Sequence, residues 1–290
     1  MTFLKPATNI LLGSPLVALS IFSTAEVTLA QAHFGHHHMV VGRDSLETFV
    51  SGTYAGLANP NYNHLSLLFP HTHEPPENSH FHGIGIYSYT GPFDSPTIIP
   101  TNTNNQLPEI SFNLPPLQLV QGTGAFKGQM VSIKTEDNIF SDLTTKPVKH
   151  LADSLDDPYI AGVYHSGSDR WNTLLGDNAT IAFELVYITP GLIFADSNGQ
   201  TLLDSIGQQT EIGKGDDFAF KPYVYAPQLS ETKNYSATLR LIDLNPNEGE
   251  RLLQSGEFTI NFQAVGVPEP SILLGLGVFG FAGLCSKKRQ

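Results

Sequence analysis

The chain has 290 residues, of which 40% are apolar and 14% charged, and its formal net charge at pH 7 is −12. The apolar content excludes an intrinsically disordered chain, and the negative balance argues against nucleic acid as a partner. Cys285 is the single cysteine, which excludes an intrachain disulfide and any metal site built from several thiolates.

Residues 1–32 have the features of a secretory signal. Lys5 supplies the positive start, residues 10–22 are largely apolar, and Ala30-Gln31-Ala32 is a small-x-small cleavage site. A membrane-spanning anchor is a weaker interpretation, because Gly13-Ser14-Pro15 interrupts the apolar run and no positive stop-transfer residues follow it. We therefore predict an exported protein that is cut at or near this site.

Histidine is concentrated in the segment that follows the signal. Nine of the 11 histidines lie between positions 33 and 82, and neutral imidazole is the commonest protein metal ligand near neutral pH. Eight of the nine form a run and two His-x-His pairs: His33, His36, His37 and His38, then His71 and His73, then His80 and His82. In an extended segment residues i and i+2 point to the same face, so each pair offers two imidazoles side by side.

The two His-x-His pairs are the predicted main metal site. On adjacent strands, or on a strand and its loop, they would supply four nitrogen ligands, a set that suits zinc or copper better than calcium or magnesium. Zinc is the expected metal, held by all four histidines or by two or three of them with Glu74, Glu77 or water. The His36–His38 run suits looser, exchangeable binding. Copper is the less favoured metal, and a histidine-rich surface with no fixed metal is the competing interpretation.

The body of the chain is predicted to be all-β. Long amphipathic helical windows are absent, whereas short strand candidates recur between turn residues. The candidates are residues 47–54, 64–69, 81–89, 130–134, 180–188, 218–226, 237–242 and 257–264. In the last of these, Phe258, Ile260 and Phe262 alternate with polar residues and are expected to face a core. An antiparallel β-sandwich is predicted, immunoglobulin-like in the carboxyl-terminal half, with short terminal helices that belong to the sorting signals.

The predicted organisation has a His-rich β region at residues 33–115 and a β-sandwich at residues 116–266. The Pro-rich stretch from Leu107-Pro108 to Pro115-Pro116 is the expected joint between them. A single continuous sandwich fits the same pattern almost as well.

Residues 267–290 form a second sorting segment. Pro268-Glu269-Pro270 precedes an apolar run from Ile272 to Cys285 and then the basic tail Lys287-Lys288-Arg289. This segment resembles the PEP-CTERM sorting signal of Gram-negative and cyanobacterial envelope proteins, which an exosortase recognises and removes. An apolar helix of this length spans roughly 21 Å at ~1.5 Å per residue, short of the ~30 Å hydrocarbon core, as suits a temporary stop. The basic tail should stay in the cytoplasm, so the body is expected outside, held transiently at the inner membrane.

Several further segments resemble a small family of cyanobacterial PEP-CTERM proteins that are repressed by the zinc-responsive regulator Zur. The segments that carry the resemblance are Asp44-Ser45-Leu46, residues 51–57, Asn59-Pro60-Asn61-Tyr62, residues 71–74, residues 80–85, residues 87–92, residues 101–105 and residues 235–262. The resemblance implies expression under zinc starvation, and hence zinc capture, buffering or delivery at the cell envelope. It does not identify ligands.

The predicted function is therefore zinc binding by a non-catalytic, exported envelope protein in the periplasm, outer envelope or extracellular space. Zinc-uptake proteins are expected partners besides the exosortase. No nucleophile elbow, His-Glu-x-x-His helix or phosphate-binding loop supports an enzyme. The alternatives are a structural surface or extracellular-matrix protein and, less favoured, a copper enzyme similar to lytic polysaccharide monooxygenases, which would need His33 at the amino terminus.

Overall fold

A computed structural model describes residues 39–133 and 143–267. The structure is mostly β-sheet, with 40% strand and 11% helix, which confirms the predicted all-β class. The amino-terminal signal, the His33–His38 run and the sorting signal at Pro268, Glu269 and Pro270 lie outside the described residues, and so do the predicted terminal helices. Within the described ranges, no helix is long and apolar enough to cross a membrane.

The described residues form sixteen strands and three short α-helices, and several strands match the predicted segments. The strands are β1 Met39–Arg43, β2 Leu65–His71, β3 His80–Ile84, β4 Ser88–Thr90, β5 Thr97–Ile99, β6 Gln106–Leu107, β7 Leu117–Gln121, β8 Gln129–Ser132, β9 Thr145–Pro147, β10 Thr180–Ile188, β11 Ile193–Ala195, β12 Thr201–Leu203, β13 Gln209–Lys214, β14 Tyr223–Pro227, β15 Lys233–Asp243 and β16 Phe258–Ala264. The helices are α1 Lys149–Ala152, α2 Pro158–Tyr164 and α3 Ser166–Asp169.

A small sheet carries the histidine pairs. Its strand order is β3-β2-β1-β9, so β3 is an edge strand. β2 is antiparallel to both β1 and β3, whereas β1 and β9 run parallel. The register between β2 and β3 sets His71 directly opposite His80 and Phe69 directly opposite His82.

The large sheet contains most of the carboxyl-terminal half. Its strand order is β12-β11-β14-β8-β7-β16-β15-β10-β13, and β6 also pairs with β16. The two edge strands β12 and β13 approach each other, so that the sheet nearly closes on itself. β6 and β7 run parallel to β16, while the other pairs of this sheet are antiparallel. The immunoglobulin-like sandwich is not confirmed, because these strands belong to one continuous sheet.

The small sheet is covered on both faces. Leu65, Leu67 and Ile84 point into the main core, which they share with the large sheet. Their neighbours Leu68 and Phe81 point the other way, into a second apolar cluster with Trp171 and the helical segment. Alternating side chains of one strand therefore reach opposite faces, as the two-residue period of a strand requires. In β16, Phe258, Ile260 and Phe262 are buried in the main core, as predicted.

The helical segment between β9 and β10 was not predicted from the sequence. The Asp157 side chain caps α2 by accepting hydrogen bonds from the backbone N–H groups of Tyr159 and Ile160, and Pro158 stands at the start of the helix. Gly162 faces the Pro76 carbonyl so closely that a Cβ atom would collide with it. This contact fixes α2 against the turn Pro76–Asn78, which leads into β3.

A buried polar network holds the loop between β1 and β2. The Asp44 carboxylate, which is 0% exposed, accepts hydrogen bonds from Asn59 and Asn61 and forms a two-pronged ion pair with Arg170. Because this network draws the chain into a compact loop, the strand predicted at residues 47–54 is wrong, and those residues form bends and turns.

Candidate metal site

Four histidines lie on one face at the end of the small sheet. His71 continues the inward row of Leu67 and Phe69 in β2, and the register with β3 places His80 and His82 on that same face. The ring centroids of His71 and His82 are 3.9 Å apart, and His80 lies 4.9 Å from His82. His73, two residues beyond His71, stacks on His80 with parallel rings at 5.0 Å.

Glu109 reaches this face from a separate part of the chain. It lies between β6 and β7, which are both hydrogen-bonded to β16 in the large sheet. The connecting segment leaves the large sheet, turns through residues 110–112 and returns, so its position is fixed at both ends. Leu107 is buried at the start of this segment, and the Glu109 side chain is only 1% exposed.

The Glu109 carboxylate is fully engaged by the histidines. Its Oε2 lies 2.6 Å from His71 Nε2, and its Oε1 lies 2.6 Å from His82 Nδ1. Asn104 also donates from Nδ2 to Oε1, at 2.8 Å. Because a carboxylate only accepts hydrogen bonds, both histidine nitrogens carry protons in this arrangement.

The environment favours an ionised Glu109. Burial by itself opposes ionisation, but the hydrogen bonds from His71, His82 and Asn104 and the charge of His71 outweigh it, and the pKa falls from 4.5 to about 2. The pKa of His73 is lowered from 6.5 by burial and by the neighbouring His80, His71 and His82. The cluster thus combines an ionised carboxylate, in contact with His71 and His82, with His73, whose neutral form is favoured.

The cluster has the donor set of a zinc site. His71, His82 and Glu109 each offer one ligand atom, and these atoms lie within 4.8 Å of one another. Tetrahedral zinc with bonds near 2.0–2.1 Å sets its ligand atoms about 3.3 Å apart, so the 2.6 Å contacts must widen by several tenths of an ångström. Two histidines and a carboxylate leave the fourth position to water or a further histidine, so the site is not closed by three protein ligands alone.

The surroundings leave part of the cluster open to solvent. Phe112, itself half-exposed, stacks on His71 with ring centroids 5.1 Å apart. A cleft of about 620 Å³ opens beside β3 and is lined by His82, Asn104, Ile110 and Trp171, among others. The exposed fraction of the side chain rises from 1% at Glu109 to 13% at His71 and 28% at His82. An ion can therefore approach the buried carboxylate from the histidine side.

The other predicted ligands lie elsewhere. The Glu74 carboxylate accepts a hydrogen bond from the Tyr159 hydroxyl and is not part of the group formed by His71, His82 and Glu109. Glu77 is exposed on the turn before β3. His33, His36, His37 and His38 lie outside the described residues.

Sequence reasoning missed Glu109, although the sequence holds one signal for it. Glu109 is the only charged residue between Asp94 and Lys127. A lone carboxylate in a long uncharged, apolar-rich stretch is a candidate for burial with a specific partner, because a buried charge is costly unless it is paired.

Comparisons with known proteins do not place this chain in a family. No family model matches it, and no curated protein matches it.

Proposed function

We propose that this chain is an exported envelope protein that binds zinc and acts in zinc scavenging, storage or delivery under zinc limitation. The observation that carries the proposal is the convergence of His71 and His82, one from each His-x-His pair, on the buried Glu109. The signal-like termini and the resemblance to Zur-repressed PEP-CTERM proteins supply the cellular setting.

The chemistry of the donor set favours zinc over other common ions. Calcium and magnesium prefer sites made of oxygen atoms, whereas this cluster offers imidazole nitrogens around a single carboxylate. Without a thiolate, the site does not favour copper(I). The histidine side of the cluster is partly exposed to solvent, which suits a zinc ion that binds and is later released. Structural zinc sites, by contrast, are closed by four protein ligands.

Zinc titration by calorimetry tests the proposal. The purified protein is expected to bind zinc at the cluster, and a variant with His71, His73, His80 and His82 all changed to Ala should lose that binding. A matched control changes His64 and His165, which lie outside the cluster, to Ala. Binding should also weaken below about pH 6, because protonated imidazoles cannot ligate a metal.

The possible outcomes separate the alternatives. Equal stoichiometry and affinity in the wild type and the four-histidine variant would move the site away from the cluster, to the His36–His38 run. No binding in either protein would favour the structural surface-protein alternative. That alternative also has an observation in its favour, because the hydrogen bonds of Glu109 to His71, His82 and Asn104 stabilise the fold without a metal.

A further inference from the structure

The His82 ring lies between two different partners. Its Nδ1 is 2.6 Å from Glu109 Oε1, and its Nε2 is 2.9 Å from His80 Nε2. A neutral imidazole has one N–H and one lone pair. His82 can therefore offer its lone pair either towards Glu109 or towards His80, but not in both directions at once.

The contact between His80 and His82 requires a cation. The Nδ1 atom of His80 lies 2.7 Å from the Asn78 carbonyl oxygen, which only accepts hydrogen bonds, so this nitrogen carries the ring proton. The Nδ1 proton of His82 is likewise held by Glu109. If both rings are neutral, two lone pairs face each other across 2.9 Å, an arrangement that is stabilised only when a proton or a metal ion lies between them.

We propose that the cluster is a two-position metal site in which zinc enters at the rim on His80 and His82 and then moves inward to His71, His82 and Glu109. This inference rests on the proposed zinc-binding function. At the rim the ion binds the two Nε2 atoms, and water completes its coordination. The Asn78 carbonyl and Glu109 accept hydrogen bonds from the Nδ1 protons, as carbonyl and carboxylate oxygens commonly do beside metal-bound histidines.

The inner position uses the other side of the His82 ring. Zinc then binds His82 Nδ1, and the ring proton resides on Nε2, where it is donated to His80 Nε2. His71 changes tautomer in the same way, releasing Nε2 for the metal. The ring proton of His82 moves from Nδ1 to Nε2, and the ring proton of His71 moves from Nε2 to Nδ1. The transfer of zinc therefore neither consumes nor releases protons overall. The inner position adds a negative ligand and a third protein group, and it is the more stable of the two.

Nuclear magnetic resonance of ¹⁵N-histidine-labelled protein loaded with zinc tests the assignment directly. The wild type should show zinc on Nδ1 of His82. Glu109→Gln removes the charge of the inner position, so its zinc should bind more weakly and shift to Nε2 of His82. Zinc on Nε2 of His82 in the wild type would overturn the inner position.

A kinetic experiment tests the entry step. His80→Gln removes the rim nitrogen but keeps an acceptor for the His82 Nε2 proton, so stopped-flow zinc loading should slow several-fold. His165→Gln, on an exposed histidine outside the cluster, is the control and should load like the wild type. Loading of His80→Gln at the wild-type rate would overturn entry at the rim. Failure of the wild type to bind zinc would instead refute the proposed function.

Discussion

Replacing Glu109 with Gln tests whether the buried carboxylate organises the site before any metal binds. The carboxylate accepts hydrogen bonds from His71, His82 and Asn104 at 2.6, 2.6 and 2.8 Å. The amide keeps one acceptor oxygen and places an NH₂ group where the second oxygen stood, so at least one charge-assisted bond is lost. Such bonds contribute about 1.5–3 kcal/mol each, and we expect the free energy of unfolding of metal-free protein to fall by about that amount at pH 7.

The pH dependence of this loss has a defined sign. The folded-state pKa of Glu109 is about 2, below its ordinary value of 4.5. A depressed carboxyl pKa stabilises the folded state above the unfolded pKa, and that stabilisation is lost as the pH falls through the folded value. The difference between the wild type and Glu109→Gln should therefore narrow as the pH drops from 4.5 towards 2.

Urea denaturation in the presence of a chelator measures both effects, with Glu77→Gln as the matched control. Glu77 is exposed on the turn Pro76–Asn78 before β3, so its change should stay within about 0.5 kcal/mol. If Glu109→Gln were as stable as this control at pH 7, or if its deficit stayed constant from about pH 5 to about pH 3, the carboxylate would not hold the cluster as described.

Three further predictions concern the fold and the termini. Ile260→Ala should cost roughly 2–5 kcal/mol in urea denaturation, because Ile260 is 1% exposed in the main core; a loss within about 0.5 kcal/mol would place that face in solvent. Asp157→Ala should cost about 0.5–2 kcal/mol through loss of the α2 cap, and an unchanged midpoint would assign the cap no energetic role. Intact-mass analysis of native envelope material should show a chain without Lys287-Lys288-Arg289, whereas a retained tail would refute exosortase processing.

Local periodicity was sufficient to predict several of the strands and the side-by-side placement of the histidines in each pair. The i, i+2 spacing puts each His-x-His pair on one face, and β2 and β3 are adjacent, which is one arrangement that the four-ligand prediction allows. In β16, the alternation that predicted Phe258, Ile260 and Phe262 to be inward matches their burial. These features depend on residues close together in the chain, which a single sequence displays directly.

Features that depend on distant contacts could not be predicted. Glu109 meets His71 and His82 only because β6 and β7 are both anchored to β16, and no local pattern encodes that pairing. The loop after β1 was predicted to contain a strand at residues 47–54, but the ion pair of Asp44 with Arg170, 126 residues away, holds this part of the chain in a loop. Asp44, Asn59 and Asn61 belong to this buried network and not to the histidine cluster.

If the cluster binds zinc as proposed, the anchoring of Glu109 to the large sheet determines when the site forms. The carboxylate and the histidines come together only after the two sheets have packed, so this inner site does not exist in an extended chain. If the chain crosses a membrane unfolded, the group formed by His71, His82 and Glu109 cannot transport zinc out of the cytoplasm. Its capacity for the metal would arise only in the compartment where folding is completed.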